Sequence, residues 1–401
     1  MAIAELQKEK IAKDISQSGV IVQDKYELRK LKLRVLSQLY RIMLSITKNP
    51  FSATKKLYQI KKQYRSIFGE SFLTKIAKVD NRYFWRMGVP GFPSVANYKL
   101  QTNEVKRFIF QNSRIGLRTV LIAITKKCSL NCEHCFEWEN LNQKEQLSAN
   151  DIISMIHQYQ DYGTTQFILS GGEPMLRIND LYKILATAKP GADFWVVTSG
   201  LGLKQEQAEK LKSYGLTGVM VSLDHFNPDK HNAFRGFDQA YEWAIKAVQN
   251  ANSVGLVTTL TLCVTKEFIS RENLDSYMKL AKSLWVAFVQ LIEPRATGRY
   301  AGKDVLLDEK ELYLLDQFYL EYNSSPKYND YPIINYLGYH QRKVGCFGAG
   351  NRFFYVDTDG DAHICPYCSG KAGKVKEHSV EEMLDLLSGH SCHIYDKSKI
   401  Y

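Results

Sequence analysis

The 401-residue sequence contains no apolar stretch near the roughly 18 residues that a membrane-spanning helix requires. Its start, Met1-Ala2-Ile3-Ala4-Glu5, lacks the charged opening and apolar run of a secretion signal. Internal repeats and low-complexity segments are also missing. These absences point to a cytoplasmic protein, and a hydrophobic share of 45% is enough for an ordinary core. Acidic residues are scarce at one end. The first 100 residues hold 7 Asp and Glu against 20 Lys and Arg, a net of +13. The whole chain is +11, so the remainder is −2 and nearly neutral. A basic N-terminal extension of this kind suits anionic lipid, nucleic acid or an acidic partner.

The length favours two or three domains. From Val120 onward, short runs rich in β-branched and aromatic residues alternate with helical segments. The strands expected are Val120–Thr125, Gln166–Ser170, Phe194–Thr198, Gly218–Leu223, Val257–Val264 and Val286–Ile292. Ser148 with Asp151 reads as a capping arrangement for a helix that Gly163 ends. Further helices are expected near 181–188, 204–214, 238–253, 272–283, 305–324 and 380–388. Such alternation implies a parallel sheet with crossover helices. The fold expected is α/β, either an open doubly wound sheet or a partial (β/α)6 barrel of the TIM type. The boundaries read from the sequence are a basic helical extension over 1–115, the barrel over 116–300, and a small cysteine-rich hairpin and helix domain over 301–401.

Cysteine is used in groups. Of eight, seven lie in two clusters, and in a cytosolic chain that pattern reads as metal binding. Cys263 stands alone in a strand-like run and reads as a buried structural residue. The first group is Cys128-Ser-Leu-Asn-Cys132-Glu-His-Cys135, directly after the first strand. Three thiolates so close can hold three irons of a cubane and leave the fourth iron open to an outside ligand. A zinc site is the plainer alternative. It needs a fourth ligand, and His134 is badly placed because it adjoins Cys135.

Here the chain resembles the radical S-adenosylmethionine (SAM) superfamily, whose signature is Cys-x3-Cys-x-aromatic-Cys. His134 takes the aromatic position, a variant familiar in members with a C-terminal cluster-binding extension. The resemblance covers roughly residues 118–300. It implies a SAM-binding 4Fe–4S cluster on Cys128, Cys132 and Cys135. Gly171-Gly172-Glu173-Pro174, at the end of the second strand, matches the family segment that receives the amino group of SAM. Ser199, Ser222 and Asp224, near the ends of the third and fourth strands, match positions that contact its ribose or carboxylate. Arg235 matches a position suited to the carboxylate, and 293–299 a segment lining adenine or substrate. Singly, these polar residues read equally as caps, turns or surface groups.

The second group is Cys346, Cys365, Cys368 and Cys392. Asp359-Gly360 between Phe353–Val356 and Ala362–Ile364 is a hairpin signal. The spacing from Cys346 through Gly360 to Cys365 resembles the SPASM or shorter twitch extension, which implies an auxiliary cluster. Four cysteines suffice for one 4Fe–4S cluster, and a zinc knuckle is the alternative. Sulfatase-maturing relatives carry an aspartate where this chain has Pro366, which argues against that activity.

The resemblance implies an enzyme that cleaves SAM to a 5′-deoxyadenosyl radical. It would take an electron from a reductant such as flavodoxin or ferredoxin and abstract hydrogen from a large substrate, a peptide or membrane-proximal lipid. Residues 25–48 and 55–68 read as basic amphipathic helices suited to peripheral membrane contact or to packing on the body. No specific nucleic acid is expected. Residues 83–95 read as an aromatic linker. Two other classes fit fewer motifs: an iron–sulfur electron carrier or redox sensor, and a zinc module that binds nucleic acid.

Overall fold

Local signals set the element boundaries. The computed structural model describes residues 20–68, 75–112, 114–368, 370–390, 392, 394 and 395. The N-terminal reading of 1–19 and the final residues 396–401 lie outside the described residues.

The N-terminal part comprises β1 (Val20–Ile21), α1 (Lys25–Thr47), α2 (Pro50–Phe68), β2 (Ala77–Val79), β3 (Arg82–Phe84) and α3 (Val95–Phe110). Asp24 caps α1 by accepting from Tyr26 N, and Ser94 caps α3 by accepting from Asn97 N. The expected aromatic linker over 83–95 is thus replaced. Its start is β3, its middle pairs back through Tyr83 and Phe92, and Val95 opens α3.

The alternating part follows as β4 (Thr119–Ala123), α4 (Ala149–Tyr162), β5 (Gln166–Ser170), α5 (Ile178–Thr187), β6 (Asp193–Thr198), α6 (Gln205–Ser213), β7 (Leu216–Ser222), α7 (Pro228–Arg235), α8 (Ala240–Ser253), β8 (Val257–Cys263), α9 (Arg271–Ser283) and β9 (Phe288–Ile292). Ser148 and Asp151 form the reciprocal capping box on α4, and Gly163 ends it in the left-handed conformation. After these come α10 (Glu309–Ser324), β10 (Ile333–Asn335), α11 (Leu337–Val344), β11 (Phe353–Val356), β12 (Asp361–His363), β13 (Lys371–Lys374) and α12 (Val380–Ser388). Helix α10 starts four residues later than expected, because the Asp308–Glu311 capping box defines its first turn.

One sheet of ten strands runs β10-β9-β8-β7-β6-β5-β4-β11-β12-β13. The six expected strands are parallel, and two more join them: β10 beside β9, and β11 beside β4. The C-terminal hairpin therefore extends the same sheet rather than standing apart. The sheet curls without closing. Its outer face buries the main core against the helices, with Phe167, Val196, Val221 and Leu260 all inaccessible. Each such large side chain contributes roughly 1.5–3 kcal/mol.

A second small sheet, β1-β2-β3, plugs the barrel's lower end. Its Ile21, Ala77, Val79 and Phe84 pack on Trp195, Met220, Phe288 and Ile333, which point inward from the large sheet. Helices α1 and α3 pack together, and α2 packs on α11. A cavity of about 1000 Å³ remains inside. It is lined by inward residues of every strand from β4 to β10 and by α1, α2 and α3.

Candidate functional site at the barrel rim

Parallel strands send their C-terminal ends to one rim, where barrel enzymes gather polar groups. The loop after β4 carries Cys128, Cys132 and Cys135, with Cys132 buried and the other two half-buried. The loop after β5 meets it backbone to backbone. Gly172 N donates to Thr125 O at 2.8 Å, and Glu173 N to Lys127 O at 2.7 Å. A Cβ at Gly172 would stand 2.3 Å from Lys127 O and 3.1 Å from Cys128 Cβ, so only glycine allows this approach.

The Glu173 carboxylate is fully buried and accepts four hydrogen bonds. They come from Met175 N at 3.1 Å, Thr198 Oγ1 at 2.7 Å, Ser199 N at 2.8 Å and Ser199 Oγ at 2.5 Å. It ties the ends of β5 and β6 together, and Pro174 starts the short turn that follows. Two of the singled-out residues, Glu173 and Ser199, thus face each other. So do Asp224 and Arg235, which form a buried ion pair. Asp224 also accepts from Cys263 N at 3.0 Å, and Arg235 Nη1 lies 3.6 Å from Cys132 Sγ. Arg235 holds the Asp224 carboxyl below its usual range even though burial works the other way. Ser222 lines the cavity at the end of β7.

The cysteine loop is clamped from two further sides. Asn131 N donates to Arg235 O at 3.1 Å, and Glu133 N to Phe234 O at 3.0 Å. Arg299 reaches Asn131 O at 2.7 Å and Cys132 O at 3.2 Å, while its own N–H bonds Cys135 O at 2.9 Å. Gly298 has φ 57°, and a Cβ there would come 2.3 Å from Cys135 O. Within the segment expected to line adenine or substrate, Gly298 and Arg299 therefore brace the loop, while Glu293, Pro294, Arg295 and Thr297 line the cavity. Asn142 was not singled out. It pairs with both backbone groups of Cys128, at 3.0 Å each, and no spacing rule marks it.

A model of the radical SAM superfamily matches residues 122–281. Residues 122–281 are thus similar to a radical SAM domain. It is 25% identical over 215 residues to Fe-coproporphyrin III synthase of Methanosarcina barkeri, covering 53% of each chain. To the AdoMet-dependent heme synthase of Nitratidesulfovibrio vulgaris it is 25% identical over 289 residues, 65% of this chain and 76% of that one. The chain thus spans about half the length of the first of these relatives. In fold it is similar to Streptococcus suis SuiB bound to the precursor peptide SuiA, with TM-score 0.55, 15% identity, and 87% and 81% of the two chains covered. It is also similar to anSMEcpe with bound AdoMet, with TM-score 0.53, 18% identity, and 67% and 80% covered. The radical SAM match and the enzymes among these relatives support an enzymatic role. The family implies a 4Fe–4S cluster and SAM.

Beyond the radical SAM domain, the second cysteine group gathers beside the rim. Cys346 follows α11, Cys365 and Cys368 follow β12, and Cys392 comes from the C-terminal segment. Cys365 Sγ lies 3.2 Å from Cys368 Sγ, and the free Cys392 thiol is within hydrogen-bonding reach of Cys346 and Cys368. Gly348 N donates to Cys346 Sγ at 3.3 Å. Lys126, from the first cysteine loop, pairs with Asp359 of the hairpin turn at 2.6 Å, which links the two regions. No described helix is long and apolar enough to cross a membrane.

Proposed function

We propose that Cys128, Cys132 and Cys135 hold the SAM-binding 4Fe–4S cluster, and that the chain uses it to generate a radical that takes hydrogen from a large substrate. The observation that carries this reading is the joint between the Gly172–Glu173 backbone and the cysteine loop, over the mouth of one cavity. The donor set fits. Leu130 N donates to Cys128 Sγ at 3.5 Å, and the Arg235 cation lies against Cys132, both favourable to thiolates. Burial pushes the Cys128 and Cys135 thiols up to about 11 and 12, so iron rather than bulk pH would displace their protons.

When bound, the cluster supplies one electron that splits SAM into methionine and a 5′-deoxyadenosyl radical. The chain's own residues position and shield. Gly171 and Gly172 let the loop after β5 lie against the cysteine loop, where a Cβ would meet Thr125 O and Lys127 O. Glu173 locks Ser199 and the strand ends, and Asp224 fixes Arg235 beside Cys132. Ser222, His134 and Cys263 line the cavity that opens there. Cys346, Cys365, Cys368 and Cys392 hold an auxiliary 4Fe–4S cluster. A flavodoxin or ferredoxin supplies the electron in the cytoplasm. The substrate is a peptide or a membrane-proximal lipid. The exposed Leu33, Phe51 and Tyr58 on the basic helices favour contact at a membrane surface.

Anaerobic reconstitution with iron and sulfide, then SAM and dithionite, tests the reading through release of 5′-deoxyadenosine. A reducible cluster without cleavage would instead make the chain an electron carrier. Colourless zinc protein with salt-sensitive nucleic-acid affinity would make it a zinc module.

A further inference from the structure

The cavity is charged unevenly from end to end. At the rim its lining holds two acids, Asp224 and Glu293, and two bases, Arg235 and Arg295. These are paired with each other or with near neighbours. At the opposite end, the lining holds eight Lys and Arg against one acid, Glu104.

The centre of that end is built where β4 and β11 begin. Arg118 and Arg352 immediately precede these parallel neighbours, and Arg118 N bonds Arg352 O at 3.0 Å. Both guanidinium groups reach Glu104 on α3. Arg118 Nε lies 3.1 Å from Oε1, and Arg352 Nη1 lies 2.7 Å from the same atom. Tyr64 of α2 donates to Glu104 Oε2 at 3.1 Å. Arg107, one helical turn on, is buried and bonds the carbonyls of Ile115, Gly116 and Asn351. Two guanidinium groups thus share one carboxylate, with the Arg107 cation close by and Arg86 lining the same space. Like charges held together in a partly desolvated site repel unless an anion joins them. Burial and the neighbouring Arg352 push Arg107 down to about 10.

Between the two ends the wall is mostly apolar, with Gln290, Asn335 and Thr261 among its polar members. Leu121, Ile168, Val197 and Met220 come from the strands, and Val105 and Phe108 from α3. The strands are five to seven residues long, so floor and rim stand roughly 17–23 Å apart.

We infer that Arg118, Arg352 and Arg107 form an anion site at the barrel floor, and that the cavity takes an elongated apolar substrate anchored there by a phosphate or carboxylate. The free end of such a molecule points to the rim, where the hydrogen is taken. This last step rests on the radical SAM reading above, whereas the anion site does not.

The test is equilibrium binding by titration calorimetry on the reconstituted full chain, with no SAM or reductant present. The probes are decyl phosphate below its micelle concentration, decanol and inorganic phosphate. Decyl phosphate should bind at least tenfold more tightly than either of the others. Arg352→Gln and Arg118→Gln should weaken decyl phosphate at least tenfold and leave decanol unchanged. If those variants do not fold, the three-probe series on the unaltered chain decides alone. Equal affinity for decanol and decyl phosphate overturns the anion site. Inorganic phosphate bound as tightly as decyl phosphate overturns the apolar occupant, as does preference for a flat tetracarboxylate, coproporphyrin III. Because no SAM is present, failure here is distinct from failure to release 5′-deoxyadenosine.

Discussion

The two ends of the barrel treat charge in opposite ways. At the rim, Asp224 meets Arg235, Glu293 meets Arg295 and Arg342, and Glu173 is surrounded by hydroxyl and amide donors. At the floor, Glu104 alone faces Arg107, Arg118 and Arg352. The rim is balanced before any ligand arrives, so its side chains hold a geometry. The floor carries surplus positive charge, so its geometry is completed by something else. A barrel of parallel strands supplies both ends, but only the loops beyond the strands and the helices beneath them decide what each end does.

The largest effect expected is at the rim. Cys132→Ala should abolish 5′-deoxyadenosine formation, a loss of about 10³-fold or more given the rate enhancements such sites supply. Activity retained in that variant would break the contrast by removing the rim's chemistry.

Next comes Glu104→Gln at the floor. Removing the carboxylate that two half-buried guanidinium groups share, beside the buried Arg107, should destabilise the fold by about 3 kcal/mol in a denaturant titration. Those cations hold the Glu104 carboxyl well below its ordinary range. Its contribution is therefore present above the unfolded carboxyl pKa and lost as pH falls through the folded value. The variant should lack that part of the acid sensitivity.

Glu173→Gln is expected to be milder, at about 1–3 kcal/mol, because an amide keeps some of the four hydrogen bonds but misdirects others. Its denaturation midpoint should fall while iron content stays. A variant with unchanged stability would mean that the rim's geometry is held elsewhere. Cys365→Ala separates the two cysteine groups. Iron should drop by about half, from two cubanes to one, with some SAM cleavage remaining.

The smallest effect expected is at Lys75, which lies on the cavity wall and donates to Tyr331 O at 3.2 Å. Burial pushes its ammonium down to about 7 from 10.5. The unfolded chain then binds more protons between those values, so stability rises with pH across that window. Lys75→Met should flatten the rise in thermal midpoint between pH 7 and pH 10.

Periodicity and punctuation made the repeating unit legible. Ser148, Asp151 and Gly163 announced α4, and Asp359-Gly360 announced the hairpin, where Gly360 adopts φ 81°. Apolar runs marked β4 to β9 to within two residues at each end. The notable miss was α3, hidden behind an aromatic stretch that reads as a linker. Its Glu104 and Arg107 have meaning only beside Arg118 and Arg352. Arg299 and Asn142 were likewise unreadable as loop clamps, since both act through backbone carbonyls and amides that no motif records.

Sequence alone determined the strand and helix alternation, the cysteine spacing and the glycines beside it, because these depend on near neighbours and on covalent geometry. Tertiary structure decided that β11 joins β4 across more than two hundred residues, that Asp224 turns to Arg235 and Ser199 to Glu173, and that arginines from α3 and from the starts of β4 and β11 gather around one glutamate. Those outcomes follow from burial, which forces each polar group taken from water to find a partner wherever the chain happens to bring one.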